Sequence, residues 1–142
     1  MGFSPVKIAK SYTPTEKEKY MNNKQLTYFY NKLNDWRDEL LKESQETIDH
    51  LKEENWREPD LSDRASLETE AGVELRTRNR YLKLIGKIDA AIVRIEEGEY
   101  GYCEETGEPI GIKRLEARPV ATLSIEAQER HEKHEKQYVE ED

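Results

Sequence analysis

Cysteine is almost absent from this chain of 142 residues; Cys103 stands alone. A single cysteine excludes an intrachain disulfide and fits a reducing compartment. Apolar residues are also scarce, at 35%. So thin a supply does not fill a thick globule. It points to an elongated protein with a narrow apolar seam, because the periodicity described below argues against disorder. No apolar run approaches the roughly 18–20 residues needed to cross a bilayer. The first ten residues carry no secretory h-region, so the expectation is a soluble, cytoplasmic protein without a membrane role. Catalytic patterns are missing too. There is no Ser/His/Asp or Cys/His constellation and no glycine loop followed by a phosphate-binding lysine, so no enzymatic activity is expected.

What the chain has instead is charge. Charged residues make up 38% of it, and the formal net charge is −8. A chain this acidic is poorly suited to gripping a phosphate backbone by bulk electrostatics, so direct sequence-specific DNA binding is not expected. From Asn22 to about Asn55 there is neither Pro nor Gly, and Leu26, Phe29, Leu33, Trp36, Leu40, Thr47 and Leu51 keep close to a 3–4 spacing. That pattern predicts a helix with a stripe of coiled-coil width. It breaks at Arg57 to Asp63, where Pro59 disfavours helix at the residue before it and Asp60, Ser62 and Asp63 are turn and N-cap types. A second helix is predicted from about Asp63 to Glu97, with Leu67, Ala71, Leu75, Leu82, Ile85, Ile88, Ile92 and Ile95 as its apolar set and Gly98 as its C′ residue. Each helix would be about 50 Å long, and a connection this short makes the two antiparallel neighbours.

The expected fold class is therefore mainly α, a long antiparallel two-helix coiled-coil hairpin plus a small globular head. Residues 1–33 supply an N-terminal segment of the head, with residues 1–20 either loosely ordered or packed on another element. Residues 34–95 form the hairpin, with its tip near 56–65. Residues 96–142 form a zinc-finger-like knuckle and a C-terminal helix. In the knuckle, Tyr100 to Cys103 and Ile110-Gly111-Ile112 read as short β-like pieces around a turn at Glu105 to Glu108. Tyr100, Tyr102, Ile110, Ile112, Leu115 and Leu123 are its expected core. Ser124 is the candidate N-cap of the last helix, whose final residues, 140–142, are expected to fray.

Charge is unevenly placed. Residues 53–74 carry eight acids, among them Asp60 and Asp63, against Arg57 and Arg64. Residues 76–94 reverse the sign, and Arg76, Arg80, Lys83 and Lys87 fall within an arc of about 60°, opposite the apolar set. A charged arc is often no more than a solvated face. Helix surfaces stabilised by their own charges mix signs at i,i+4, however, and this arc does not, so it is better suited to an acidic partner or a phosphate ligand.

Cys103 and Thr106, then Ser124 and Ala127, occupy the frame of a C-x2-C…C-x2-C zinc site. Three of the four positions cannot supply a thiolate, so no zinc is expected there. Cys103 could combine with His131 and His134 in an improvised metal site, or sense oxidants. A small half-buried residue in a knuckle is the stronger reading.

Asp60-Leu61-Ser62-Asp63-Arg64-Ala65 resembles the coiled-coil tip motif D-x-x-D-R-A of the DksA family of bacterial transcription factors. Tyr100 to Cys103 and Ile110 to Pro119 resemble that family's zinc-knuckle region, and Met21 to Arg37 the start of its first long helix. The resemblance covers roughly residues 20–136. It implies a monomeric factor that binds RNA polymerase at the secondary channel and directs its tip toward the catalytic centre. There it would shorten the life of open promoter complexes together with ppGpp, in the stringent response. It also implies that Asp60, Asp63, Arg64 and Ala65 act at the tip, and that Leu84, Lys87 and Arg118 contact ppGpp. Gln128 stands where the family has a lysine, which bears on ppGpp affinity. Cys103, Thr106, Ser124 and Ala127 replace the family's four zinc ligands, implying a zinc-independent branch. Two alternatives stay open. One is a transcript-cleavage type of secondary-channel factor, whose tip acids help hold Mg²⁺. The other is a coiled-coil scaffold with no polymerase role.

Overall fold

The computed structural model describes residues 2–54 and 61–141, and their side chains except at 54, 61–67 and 138–141. Among the described residues four helices follow in order, α1 (Asn23–Glu54), α2 (Leu61–Glu97), α3 (Ile112–Ala117) and α4 (Ile125–Glu141). Two compact units form, Asn34–Asp89 and the combination of Met1–Leu33 with Ala90–Asp142.

The unit Asn34–Asp89 consists of the C-terminal part of α1 paired with most of α2. Arg37 bonds Asp89 at 2.6 Å and His50 bonds Glu74 at 3.0 Å. The partner number falls on α2 as it rises on α1, so the pair is antiparallel, as a coiled-coil hairpin requires. Leu40, Ile85 and Ile88 are buried between the helices, with Ser44 beside them. Trp36, Thr47 and Leu51 are half-buried. The α1 stripe therefore lies where its spacing places it.

The α2 stripe needs correction. Leu75 and Leu82 were expected in the seam, but they are 43% and 39% exposed. The half-buried line runs through Ala71, Glu74, Arg78 and Tyr81 before reaching Ile85 and Ile88. These positions alternate by three and four, the period that keeps a helix facing one partner. The spacing from Leu75 through Leu82 is seven and so preserves a face, but that face lies about 100° from the seam. The long stems of Glu74, Arg78 and Tyr81 cover the seam; the Glu74 carboxylate pairs with His50, and the Arg78 Nε is buried without a hydrogen-bond partner.

In the second unit, residues 2–20 are packed rather than loose. The Val6 N–H donates to Thr27 Oγ1 at 3.0 Å, and Gln25 Nε2 donates to the Thr15 carbonyl at 3.0 Å. Phe3 meets Tyr30 and Tyr12 meets Tyr28 ring to ring. Gln25 and Thr27 are fully buried, which their polarity hides in the sequence, and these bonds satisfy them. Phe29, Leu33, Ile95, Tyr100, Leu115 and Ala127 form the core.

Gly98 ends α2 at φ 78°, and the Glu99 N–H returns to the Arg94 carbonyl at 2.9 Å, a left-handed C-terminal cap. Ser124 caps α4, its Oγ accepting the Ala127 N–H at 3.2 Å. Three knuckle expectations change, the first being Tyr102, expected in the core but 38% exposed. The β-like pieces amount to one antiparallel bridge, Tyr102 to Pro109, among the described residues; Pro109 has no N–H with which to extend a ladder. Ile112 opens the short helix α3 instead of continuing a strand, since Gly111 separates it from Ile110. α4 reaches Glu141, one residue short of the end, and Asp142 lies outside the described residues.

Candidate functional site

The sequence points to three groups of residues: the tip, the outward face of α2, and the knuckle. Asp60 lies outside the described residues, as does most of the expected turn at 57–63. Asp63, Arg64 and Ala65 belong to the first turns of α2, which begins at Leu61. Asp63 is thus inside the helix and not its N-cap.

On the outward face of α2, Arg76, Arg80, Lys83 and Lys87 are all exposed. Among the described residues no ion pair neutralises this arc, so its field is available to a negatively charged partner. Leu84, half-buried, and Lys87 sit three residues apart on α2. Arg118 follows α3 as its exposed C-cap residue, its N–H bonded to the Arg114 carbonyl. Gln128, on α4, donates to Glu132 at 3.2 Å.

The knuckle is a tight reversal of the chain. The Cys103 N–H donates to the Glu108 carbonyl at 2.8 Å, Gly107 returns to Cys103 at 2.9 Å, and Ile110 bonds Gly101 at 2.8 Å. The Glu104 N–H crosses to the Thr122 carbonyl at 2.9 Å, bringing the 103–106 loop against the start of α4. The two halves of the four-position frame are therefore brought together, but the side chains they carry do not fit zinc. Ser124 Oγ is committed to capping α4, Thr106 Oγ1 accepts the Glu108 N–H at 3.3 Å, and Ala127 contributes a buried methyl. Among the described residues no group of three or more His, Cys, Asp and Glu is arranged to hold a metal ion.

Cys103 is buried, and its sulfur is the acceptor of this cage. The Thr106 hydroxyl, and then the N–H groups of Ser124, Thr106 and Glu105, pull the thiol down to about 6 against the opposing effect of burial. His131 does not turn toward Cys103. Its Nε2 pairs with Glu105, and that hydrogen bond and charge raise it above the usual imidazole value. His134 is exposed on α4.

Three contributors escaped the sequence reading: Tyr20, Met21 and Glu105. Tyr20 and Met21 meet the knuckle across about 80 residues of chain. The one available signal was Gly101, whose φ of 93° and missing side chain mark a close approach.

Comparison with known proteins agrees in register with this geometry. Residues 25–95 match the family model described as DnaK suppressor protein DksA, N-terminal domain. Residues 98–133 match the prokaryotic dksA/traR C4-type zinc finger. The RNA polymerase-binding transcription factor DksA of Caulobacter vibrioides is 58% identical over 137 residues, covering 96% of each chain. The protein of the same name from Escherichia coli K12 is 45% identical over 120 residues, 84% of this chain and 80% of its own. The solved structure of transcription factor DksA2 from Pseudomonas aeruginosa superposes with a TM-score of 0.78 at 42% identity, covering 82% of this chain and 90% of that one.

Proposed function

Because this chain belongs to the DksA family, we propose that it is an RNA polymerase-binding transcription factor that enters the secondary channel with its hairpin tip and destabilises open promoter complexes together with ppGpp. The observation that carries the proposal is the unbroken relationship to the Caulobacter RNA polymerase-binding factor across hairpin and knuckle. The physical design is consistent with it. A two-helix rod enters a channel that excludes a globule. Carboxylates at its end act on a Mg²⁺-dependent centre by charge and hydrogen bonding, without making or breaking a bond. Asp60, Asp63, Arg64 and Ala65 are the tip residues in this reading. The basic arc Arg76, Arg80, Lys83 and Lys87 faces an acidic surface of polymerase. Leu84, Lys87, Arg118 and Gln128 contact ppGpp, with Gln128 lacking the charge of the family's lysine. The factor works as a cytoplasmic monomer and without zinc, because its knuckle spends the ligand positions on its own hydrogen bonds.

The test is the lifetime of open complexes on a ribosomal RNA promoter, with and without ppGpp. Wild type shortens the lifetime, ppGpp deepens the effect, and Asp63→Asn largely removes it while still binding polymerase. Equal activity of Asp63→Asn and wild type would refute the tip mechanism. Efficient shortening of the transcript in backtracked complexes would favour a cleavage factor instead.

A further inference from the structure

A knuckle that cannot be closed by a metal must be closed by its own chain. Gly101 lies on its first limb, and Gly111 follows its second. One oxygen atom touches both. The Tyr20 hydroxyl donates to the Gly101 carbonyl at 2.6 Å and accepts the Gly111 N–H at 3.0 Å. Its ring stands edge-on to Tyr102, with centroids 5.5 Å apart.

The next residue strengthens the contact. Met21 adopts φ 54°, a left-handed conformation unusual outside glycine, and its N–H is held by Gln25 Oε1 at 2.8 Å. Its thioether occupies the space that a side chain on Gly101 would need. A Cβ there would lie 2.8 Å from Met21 Cγ and 3.1 Å from the Tyr20 hydroxyl. A strained backbone residue persists only where its surroundings over-determine it. Here both neighbours are pinned, Tyr20 to the knuckle and Met21 to Gln25.

We infer that the Tyr20 hydroxyl is a side-chain cross-link that pins the two limbs of the knuckle to each other through two hydrogen bonds, adding to their backbone bonds an order that needs no bound cation. Tyr20 is a positioning residue. It ties the segment before α1 to the knuckle, so the knuckle's order depends on the N-terminal segment and not on metal supply. Burial raises the hydroxyl above its ordinary value, so it keeps its proton and remains both donor and acceptor at neutral pH. The inference rests on the metal-free reading of the knuckle, and the following measurement separates the two.

Amide hydrogen exchange is followed by NMR in the full chain for wild type, Tyr20→Phe and Tyr102→Phe, each with and without EDTA. The expected result is roughly tenfold faster exchange at Gly111 in Tyr20→Phe, the size of one lost hydrogen bond. Ile88 in the hairpin and the whole Tyr102→Phe variant should remain at wild-type rates, and EDTA should change nothing. Unchanged exchange at Gly111 in Tyr20→Phe overturns the cross-link while leaving the metal-free reading standing. Loss of wild-type knuckle protection on adding EDTA overturns the metal-free reading itself. Uniformly faster exchange in Tyr20→Phe, Ile88 included, also counts against the proposal, since a local lock does not act globally.

Discussion

Two side chains, one in the knuckle and one on α4 paired with it, are shifted in opposite senses. Cys103 is held near 6 against an ordinary 9, chiefly by the Thr106 hydroxyl. A lowered value favours the folded state above the unfolded value, and that contribution is lost as pH falls through about 6. As the only thiol in the chain, Cys103 can be titrated by its thiolate absorbance near 240 nm. The expected midpoint is about 6, moving upward in Thr106→Val. A midpoint in the ordinary thiol range for wild type would dissolve the cage. His131 has the opposite sign. Its value is raised by Glu105, so its contribution is complete below about 6.5 and disappears as pH rises through the raised value. Thermal melts of wild type and His131→Gln should therefore differ most in mild acid and converge in alkali. Because the pair lies at the surface, the difference will be small and will shrink in salt.

At the level of the helices, the seam of α2 decides which apolar residues matter. Ile88 is fully buried and Leu82 is 39% exposed, although the two look equivalent as letters. Ile88→Ala is expected to destabilise the protein by about 2–5 kcal/mol, the transfer and cavity cost of a buried aliphatic side chain. Leu82→Ala should cost less than about 1 kcal/mol. Urea unfolding of both variants measures the contrast, and equal losses would restore Leu82 to the seam. The Arg37–Asp89 pair is about one-third and one-half exposed on its two sides, so breaking it with Asp89→Asn should cost no more than about 1 kcal/mol. The pair marks the antiparallel register more than it stabilises it.

For the molecule as a whole, the sign of its charge and the proposed metal independence carry the functional predictions. A chain of net charge −8 that binds an acidic partner must do so through a locally basic face. Reversing Arg80 and Lys83 to Glu is expected to weaken binding to RNA polymerase while leaving helix content unchanged, since both residues are exposed. The defect should narrow as salt rises. A salt-insensitive defect, or none, would argue that the arc is only a solvated surface. Zinc depletion of cells or of the purified protein should leave both the melting temperature and the effect on open complexes intact. Stoichiometric, tightly held zinc in elemental analysis would refute that reading.

The sequence alone determined the paired long helices, their approximate ends, the Gly98 and Ser124 caps, the exposed basic arc and the family. Each depends on local spacing or on residue chemistry within a few positions, where periodicity and capping act. It also determined the loss of zinc ligands, since Thr106, Ser124 and Ala127 can be read as letters. The tertiary structure decided what depends on distant neighbours. It moved Leu75 and Leu82 out of the seam, because a spacing of seven preserves a face without saying which face meets the partner helix. It buried Gln25 and Thr27, whose polarity is satisfied by residues 6, 15 and 21. It turned Ile112 into the start of a helix and paired His131 with Glu105. And it placed the Tyr20 hydroxyl between Gly101 and Gly111, a contact that no local pattern encodes because its partners lie about 80 and 90 residues away.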